Sequence, residues 1–270
     1  MKFSIVDVFA ETRYAGNQLA VIEDAADLTG SAMQLIAREM NFSETTFVTA
    51  RSEESATVRI FTPAEELPFA GHPTLGTAWV LTRGRGGIAL TLQAGRVPVR
   101  FEADIGWFTP PPVTEGEAID TGRAAALLGL RPVDLSPDFD PRVAHCGPVF
   151  PLIGVRNLDA LKRVRVDLAI QRQLGIPGFP FAFCAGSYSS DADFAARMQF
   201  FDGQGIREDP ATGSANAAFA SYLRTRGFSG AKIVEQGFEI QRPSRIYLDI
   251  GERVAVGGKV WPVVEGQMLR

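Results

Sequence analysis

Two short stretches, Pro68-Phe69-Ala70-Gly71-His72-Pro73-Thr74 and Glu208-Asp209-Pro210-Ala211-Thr212-Gly213-Ser214-Ala215, each set a glycine at the mouth of a helix. Pro73 suits the first helical turn, where its missing N–H costs nothing, and Gly84 suits the stop of a helix running to about Arg83. In both places a strand (58–61 and 197–201) leads through an acidic, proline-containing loop to the glycine. Aligning Gly71 with Gly213, 142 residues apart, also matches His72 with Ser214, Gly76 with Ala218, Ala78 with Ala220 and Leu81 with Leu223. A twofold repeat predicts two helix N-termini facing each other across a cleft between two domains. The first N–H groups of a helix have no internal partners, and its dipole favours negative charge there. Two such ends could hold a carboxylate or stabilise an enolate-like oxyanion.

Working outward, residues 3–9 and 20–22 read as strands, and Met33, Ile36, Ala37 and Met40 mark a helix over 31–40 capped by Thr29 or Ser31. The β-branched, aromatic run 45–48 reads as a strand, so Glu44 falls at a helix-to-strand junction. Strands are expected at 57–62 and, as a hairpin around Ala94-Gly95, at 90–92 and 97–101. Pro110-Pro111-Pro112 and the polar residues after it read as a linker. The expected division is therefore 1–116 and 117–258, with a last strand at about 259–270 free to return to the first domain. In the second domain helices are expected at 122–128, 158–164 and from Gly213 to about Arg226. Strands are expected at 149–155, 181–185, 195–201, 238–241, 246–249, 254–256 and 259–264.

Composition narrows the function classes. The 270 residues are 46% hydrophobic and 21% charged, ample for a packed core and unlike a disordered chain. The net charge of −4 argues against a nucleic-acid partner, which would call for a basic face. No apolar run reaches the ~18–20 residues of a membrane span, and Asp7 interrupts any signal-peptide core, so a cytoplasmic location is expected. Cys146 and Cys184 alone make neither a disulfide framework nor a four-ligand zinc site, and no metal is expected. No glycine-rich dinucleotide or phosphate loop is present, so no dinucleotide or nucleotide site is expected either.

The candidate chemistry then rests on few side chains. Glu44, flanked by apolar residues, is placed for a raised pKa and a general acid–base role. His72, at a helix N-terminus that disfavours imidazolium, suits a neutral donor or proton relay. Asp209 lies near the counterpart of His72 in the repeat. Ser214 is a cap or a carboxylate donor; the nucleophile elbow that would make it a nucleophile is absent. Gly71 and Gly213 allow close backbone approach. Asn17, in Gly16-Asn17, is both a turn residue and a candidate for substrate binding.

These motifs are similar to those of a known family. Val6-Asp7-Val8-Phe9 with Gly16-Asn17, the run Ile36 to Val48, Arg59-Ile60-Phe61-Thr62-Pro63, Glu66 to Ala78, Glu208 to Ala215, and Gln236 to Ser244 stand in order along nearly the whole chain. In this the chain resembles the phenazine-biosynthesis PhzF-like family, related in fold to diaminopimelate epimerase. The resemblance implies an α+β fold of two pseudo-symmetric domains, each a curled, mostly antiparallel sheet around a central helix, with the active site in the cleft. It implies cofactor-independent proton transfer; the member that names the family isomerises trans-2,3-dihydro-3-hydroxyanthranilate. It assigns proton transfer to Glu44, accompanying roles to His72 and Asp209, substrate-carboxylate binding to Ser214, and lining positions to Ser43 and Gly71. It also implies a homodimer. The epimerase relatives use two cysteines, and no cysteine lies at either helix mouth here. The expected function is an isomerase moving a proton on a small cyclic or amino carboxylate. The alternatives are an amino-acid epimerase or racemase, and a non-catalytic ligand-binding homologue.

Overall fold

The computed structural model describes residues 1–201 and 205–269. Its six α-helices are α1 (Gly30–Met40), α2 (Gly71–Thr82), α3 (Thr121–Leu127), α4 (Leu158–Lys162), α5 (Leu168–Leu174) and α6 (Gly213–Thr225). Two of them organise the molecule. Ten of the twelve residues of α2 and eleven of the thirteen of α6 are buried. Apolar and small side chains surround both helices, and a helix without a polar face belongs inside a core.

A curled sheet wraps each of these helices. Around α2, strand Lys2–Val8 pairs antiparallel with Asn17–Ile22, which runs parallel to Glu44–Arg51; Ser55–Phe61, Gly87–Leu92, Gly95–Glu102 and Ile105–Phe108 follow. Around α6 the same pattern recurs: Arg142–His145 against Val149–Gly154, parallel to Phe181–Ala185, then Phe194–Phe201, Gly230–Gln236, Ser244–Ile250 and Val254–Gly258. The mixture of parallel and antiparallel pairs with few helices is the expected α+β class.

The two sheets exchange strands. Thr114–Ala118 follows the first sheet in sequence but pairs with Arg142–His145 of the second. Val260–Gln267 follows the second sheet but pairs with Lys2–Val8 of the first. Val254–Gly258 pairs with Ile105–Phe108, joining the sheets edge to edge. One hydrophobic cluster accordingly runs through both, from Val6 and Leu75 to Phe219 and Val256.

Two local expectations need correction, and two elements come in addition to those expected. The residues after the proline run are strand Thr114–Ala118, not linker. Residues 238–241 are not a strand: Phe238–Ile240 is a 3-10 turn between Gly237 and Gln241, both left-handed, and Phe238 stacks on Tyr188 at 4.1 Å. The strand of this region is Gly230–Gln236, whose small and charged residues hide it from an apolar pattern. Helix α5 is capped by Asp167 and has no buried residue, so it lacks the apolar stripe that would have revealed it.

Candidate active site

Strand pairing and helix packing bring the candidate residues together from distant points of the chain. Asn41, in the left-handed conformation, ends α1 and turns the chain so that Glu44 opens the next strand. His72 and Ser214 lie in the first turns of α2 and α6. These helices meet end to end. A Cβ on Gly71 would stand 2.6 Å from the carbonyl carbon of Gly213, and one on Gly213 would stand 3.0 Å from the Gly71 Cα. The expected opposition of helix N-termini is thus direct contact, with the cleft opening beside it.

That cleft is a cavity of about 410 Å³. Ser43, Glu44, Gly71, His72, Asp209, Gly213 and Ser214 all line it. Asn17 does not. It is buried behind the wall, where its Nδ2 lies 2.8 Å from Asp209 Oδ1, 3.0 Å from the Ala211 carbonyl and 3.2 Å from His72 Nδ1.

Glu44 and His72 face each other. Glu44 Oε2 is 3.6 Å from His72 Nε2, beyond a hydrogen bond. Both atoms are buried, and neither has a hydrogen-bond partner among the described residues. Burial, with the Asp209 carboxylate adding to it, holds the Glu44 carboxyl well above the ordinary carboxylate range. Burial also drives His72 down to about 3, against a weaker pull from the Gln18 backbone, so the ring is neutral. A buried carboxyl and a neutral imidazole both need partners in a dry site, and an unpartnered pair facing a cavity is arranged for a ligand.

Asp209 ends strand Ile206–Asp209. Its Oδ2 accepts from Thr212 Oγ1 at 2.6 Å, and its Oδ1 accepts from Asn17 and, at 3.1 Å, from Ser43 Oγ. Burial lifts its pKa to about 6 despite these donors. Gln236 ties the turn together: its Nε2 donates to the Asp209 carbonyl and to Thr212 Oγ1, both at 2.9 Å, and its Oε1 accepts from the Thr212 amide. Thr212 and Gln236 have no role in the sequence reading, although both fall within the stretches that carry the family resemblance. Cys146 and Cys184 are buried away from this cavity, and burial pushes them up to about 12 and about 11, which makes them poor nucleophiles.

The cavity lining also holds Phe150, Phe179, Met198 and Phe200, with Phe179 meeting Phe150 at 6.3 Å and Phe200 edge-on at 6.2 Å. The repeat bears on this aromatic cluster. Arg59 pairs across its sheet with Phe47, and Arg197 pairs with Ala182. Counting three residues back along the chain from Phe47 and from Ala182 puts Phe179, two residues ahead of its strand, at the place of Glu44. The second half therefore repeats the backbone of the site but replaces its carboxylate with a ring.

Comparison with known proteins agrees with this architecture. The sequence model of the PhzC-PhzF family, described as phenazine biosynthesis-like protein, matches residues 6–266. An uncharacterized isomerase of Mesorhizobium japonicum is 36% identical across 99% of this chain and 98% of its own length. The trans-2,3-dihydro-3-hydroxyanthranilate isomerase of Pseudomonas aeruginosa is 35% identical across 94% of this chain and 93% of its own. The solved structure of a predicted epimerase from Pseudomonas aeruginosa superposes with a TM-score of 0.85 at 31% identity, covering 100% of this chain and 99% of that one. With the family pattern spanning both halves and the helix mouths meeting at one cavity, the chain belongs to the PhzC-PhzF family of phenazine biosynthesis-like proteins.

Proposed function

We propose that this isomerase moves a proton on a small cyclic carboxylate by general acid–base catalysis, with Glu44 as the group that carries the proton. One observation supports this above the others: the buried, unpartnered Glu44 oxygen faces an open cavity beside two helix N-termini. A carboxyl whose pKa is raised by burial gives up its proton less readily than an ordinary carboxyl and takes one back more readily, which suits donation at one carbon and abstraction at another. The free amides at Gly71, Gly213 and Ser214, with the Ser214 hydroxyl, form the donor set for the substrate carboxylate and for charge that develops on it during transfer. Neutral His72 supports Glu44, while Asp209 buffers the proton count of the pair.

Phe179 at the place equivalent to Glu44 bears on the outcome. Two-base inversion at carbon needs a second acid–base group, and at the place where the repeat would supply one the chain has Phe179, part of an aromatic cluster in the cavity lining. Proton delivery and removal by one carboxyl favour isomerisation over epimerisation, and the aromatic cluster suits the body of a ring. The dihydro-hydroxyanthranilate that names several relatives is one candidate substrate. This reading includes a homodimer in the cytoplasm, without a cofactor, which light scattering tests for the dimer.

A thermal-shift panel of cyclic and aromatic amino carboxylates, followed by incubation of the hits in deuterated water, tests the proposal. Wild type should place deuterium on the accepting carbon, and Glu44→Gln should lose about 10²–10⁴-fold in kcat/KM with ligand binding retained. Turnover of Glu44→Gln at the wild-type rate would sink the assignment, and exchange at a Cα–H with inversion would replace isomerisation by epimerisation.

A further inference from the structure

The approach to each central helix is built in the same way. In the first half, Arg59 grips Glu66 in a fork, Nε to Oε1 at 2.7 Å and Nη2 to Oε2 at 2.6 Å. In the second, Arg197 grips Glu208 through the same atoms at 2.9 and 2.6 Å. Glu66-Leu67-Pro68 and Glu208-Asp209-Pro210 hold equivalent places ahead of Gly71 and Gly213. The residue that the fork presents next is thus Leu67 in one half and Asp209 in the other.

The two forks differ in burial. The side chains of Arg59 and Glu66 are 35% and 31% exposed; those of Arg197 and Glu208 are 3% and 6% exposed. Further partners surround the buried copy. Arg197 Nη1 donates to the carbonyls of Leu161, Lys162 and Val164 at 3.1, 3.0 and 3.3 Å, and Gln199 Nε2 donates to Glu208 at 3.1 Å. Taking an ion pair out of water is costly and is a poor route to stability. The first half shows that the loop can be held by a fork left at the surface, so holding the loop does not by itself account for the buried copy.

We propose that Arg197 and Glu208 are positioning residues for Asp209: their fork fixes the strand that delivers Asp209 to Asn17, Ser43 and Thr212, and it keeps a carboxylate beside the Asp209 carboxyl. Arg197 binds both carboxylate oxygens of Glu208, and the Glu208 carboxylate opposes a second negative charge on its neighbour. The other charged or titratable groups around the same cavity are Glu44, Glu65, His72, Arg207 and Arg242. Of these, Arg242 is engaged with Asp7 and with the carbonyls of Ala15 and Gly16. The repulsion from Glu208 acts on Asp209 in the direction of keeping its proton.

The significance of this inference rests on the proposed role of Asp209, but its test does not. In protein labelled with ¹³C at the aspartate carboxyl carbon, the resonance missing from Asp209→Asn identifies Asp209, and its titration is followed by NMR. Glu208→Gln should lower the midpoint by about half a pH unit or more, at least a threefold change in the ionisation constant. Arg197→Met combined with Glu208→Gln and with Glu239→Gln, since Glu239 also lies 3.8 Å from Arg197, makes a neutral set of the kind that buried sites tolerate; it should lower the midpoint as well and covers the case in which the single variant does not fold. Glu66→Gln, the same change in the exposed fork, should leave the midpoint in place. An Asp209 midpoint equal to wild type in the Glu208 variants would make the buried fork purely structural and overturn the proposal. Loss of turnover in Asp209→Asn is a separate measurement, so each reading can fail alone.

Discussion

At the scale of single residues, the site depends on what burial does to three titratable groups. Asn17 offers two N–H hydrogens to three acceptors: His72 Nδ1, Asp209 Oδ1 and the Ala211 carbonyl. It couples the histidine to the aspartate from behind the cavity, which links the proton states of the two halves. The pH dependence has opposite signs for the two coupled groups. Asp209, raised to about 6, contributes stability that is fully present below the pKa of an unfolded aspartate and is lost as pH rises through 6. His72, depressed from 6.5 to about 3, contributes stability that is present above 6.5 and is lost as pH falls toward 3. His72→Gln keeps a polar side chain and cannot take up that proton. Relative to wild type, the variant should therefore gain on the order of 4 kcal/mol between pH 7 and pH 3. Urea melts at a series of pH values check this. A constant difference across the range would mean that His72 takes up its proton as readily in the native state as in the unfolded chain.

At the scale of elements, the head-to-head contact of α2 and α6 is the critical joint. Two like dipole ends repel, so the joint holds only because the backbones pack closely and carboxyl groups lie nearby. Alanine in place of glycine in a helix is ordinarily stabilising by about 1 kcal/mol. Here the sign should reverse. Gly71→Ala sets a methyl 2.6–2.7 Å from the backbone of Gly213 and Ser214, and it should cost about 2–3 kcal/mol and most activity. Gly213→Ala, whose methyl meets Gly71 and His72 at 3.0–3.1 Å, should cost less. Chemical denaturation of both variants gives the order. This joint was readable because two glycine-opened helices recur in the sequence with the same spacing of small residues. The aromatic cluster was not, because the two copies reach it through loops of different length: Glu44 and Phe179 lie 135 residues apart, the two arginines 138, and the two glycines 142. No single offset aligns all three pairs; the pairing register matches the first two and the helix starts match the third. Glu44 itself was legible from its apolar neighbours. Thr212 and Gln236 were not, since a hydrogen bond between a turn and a strand leaves no periodicity.

At the scale of the whole molecule, the exchanged strands decide how the protein folds. Thr114–Ala118 and Val260–Gln267 each complete the sheet of the other half, and the line of division expected at residue 116 falls inside the first of them. The site is divided in the same way, with Glu44 and His72 from one half and Asp209 and Ser214 from the other. A half that opened alone would strip its partner's edge strand and break the helix joint, so opening one half removes packing from the other. All three tryptophans, Trp79, Trp107 and Trp261, lie in α2 or in strands that complete the first sheet, so their fluorescence reports that half, whereas far-ultraviolet circular dichroism reports both. The two signals should change at one denaturant concentration. Truncation after Lys259 removes the strand that covers Lys2–Val8, and the shortened chain should fail to give the cooperative transition in either signal. Two separated transitions in the full chain, or a cooperative melt of the truncated one, would show that the halves are independent and that the exchanged strands are ornament to the fold.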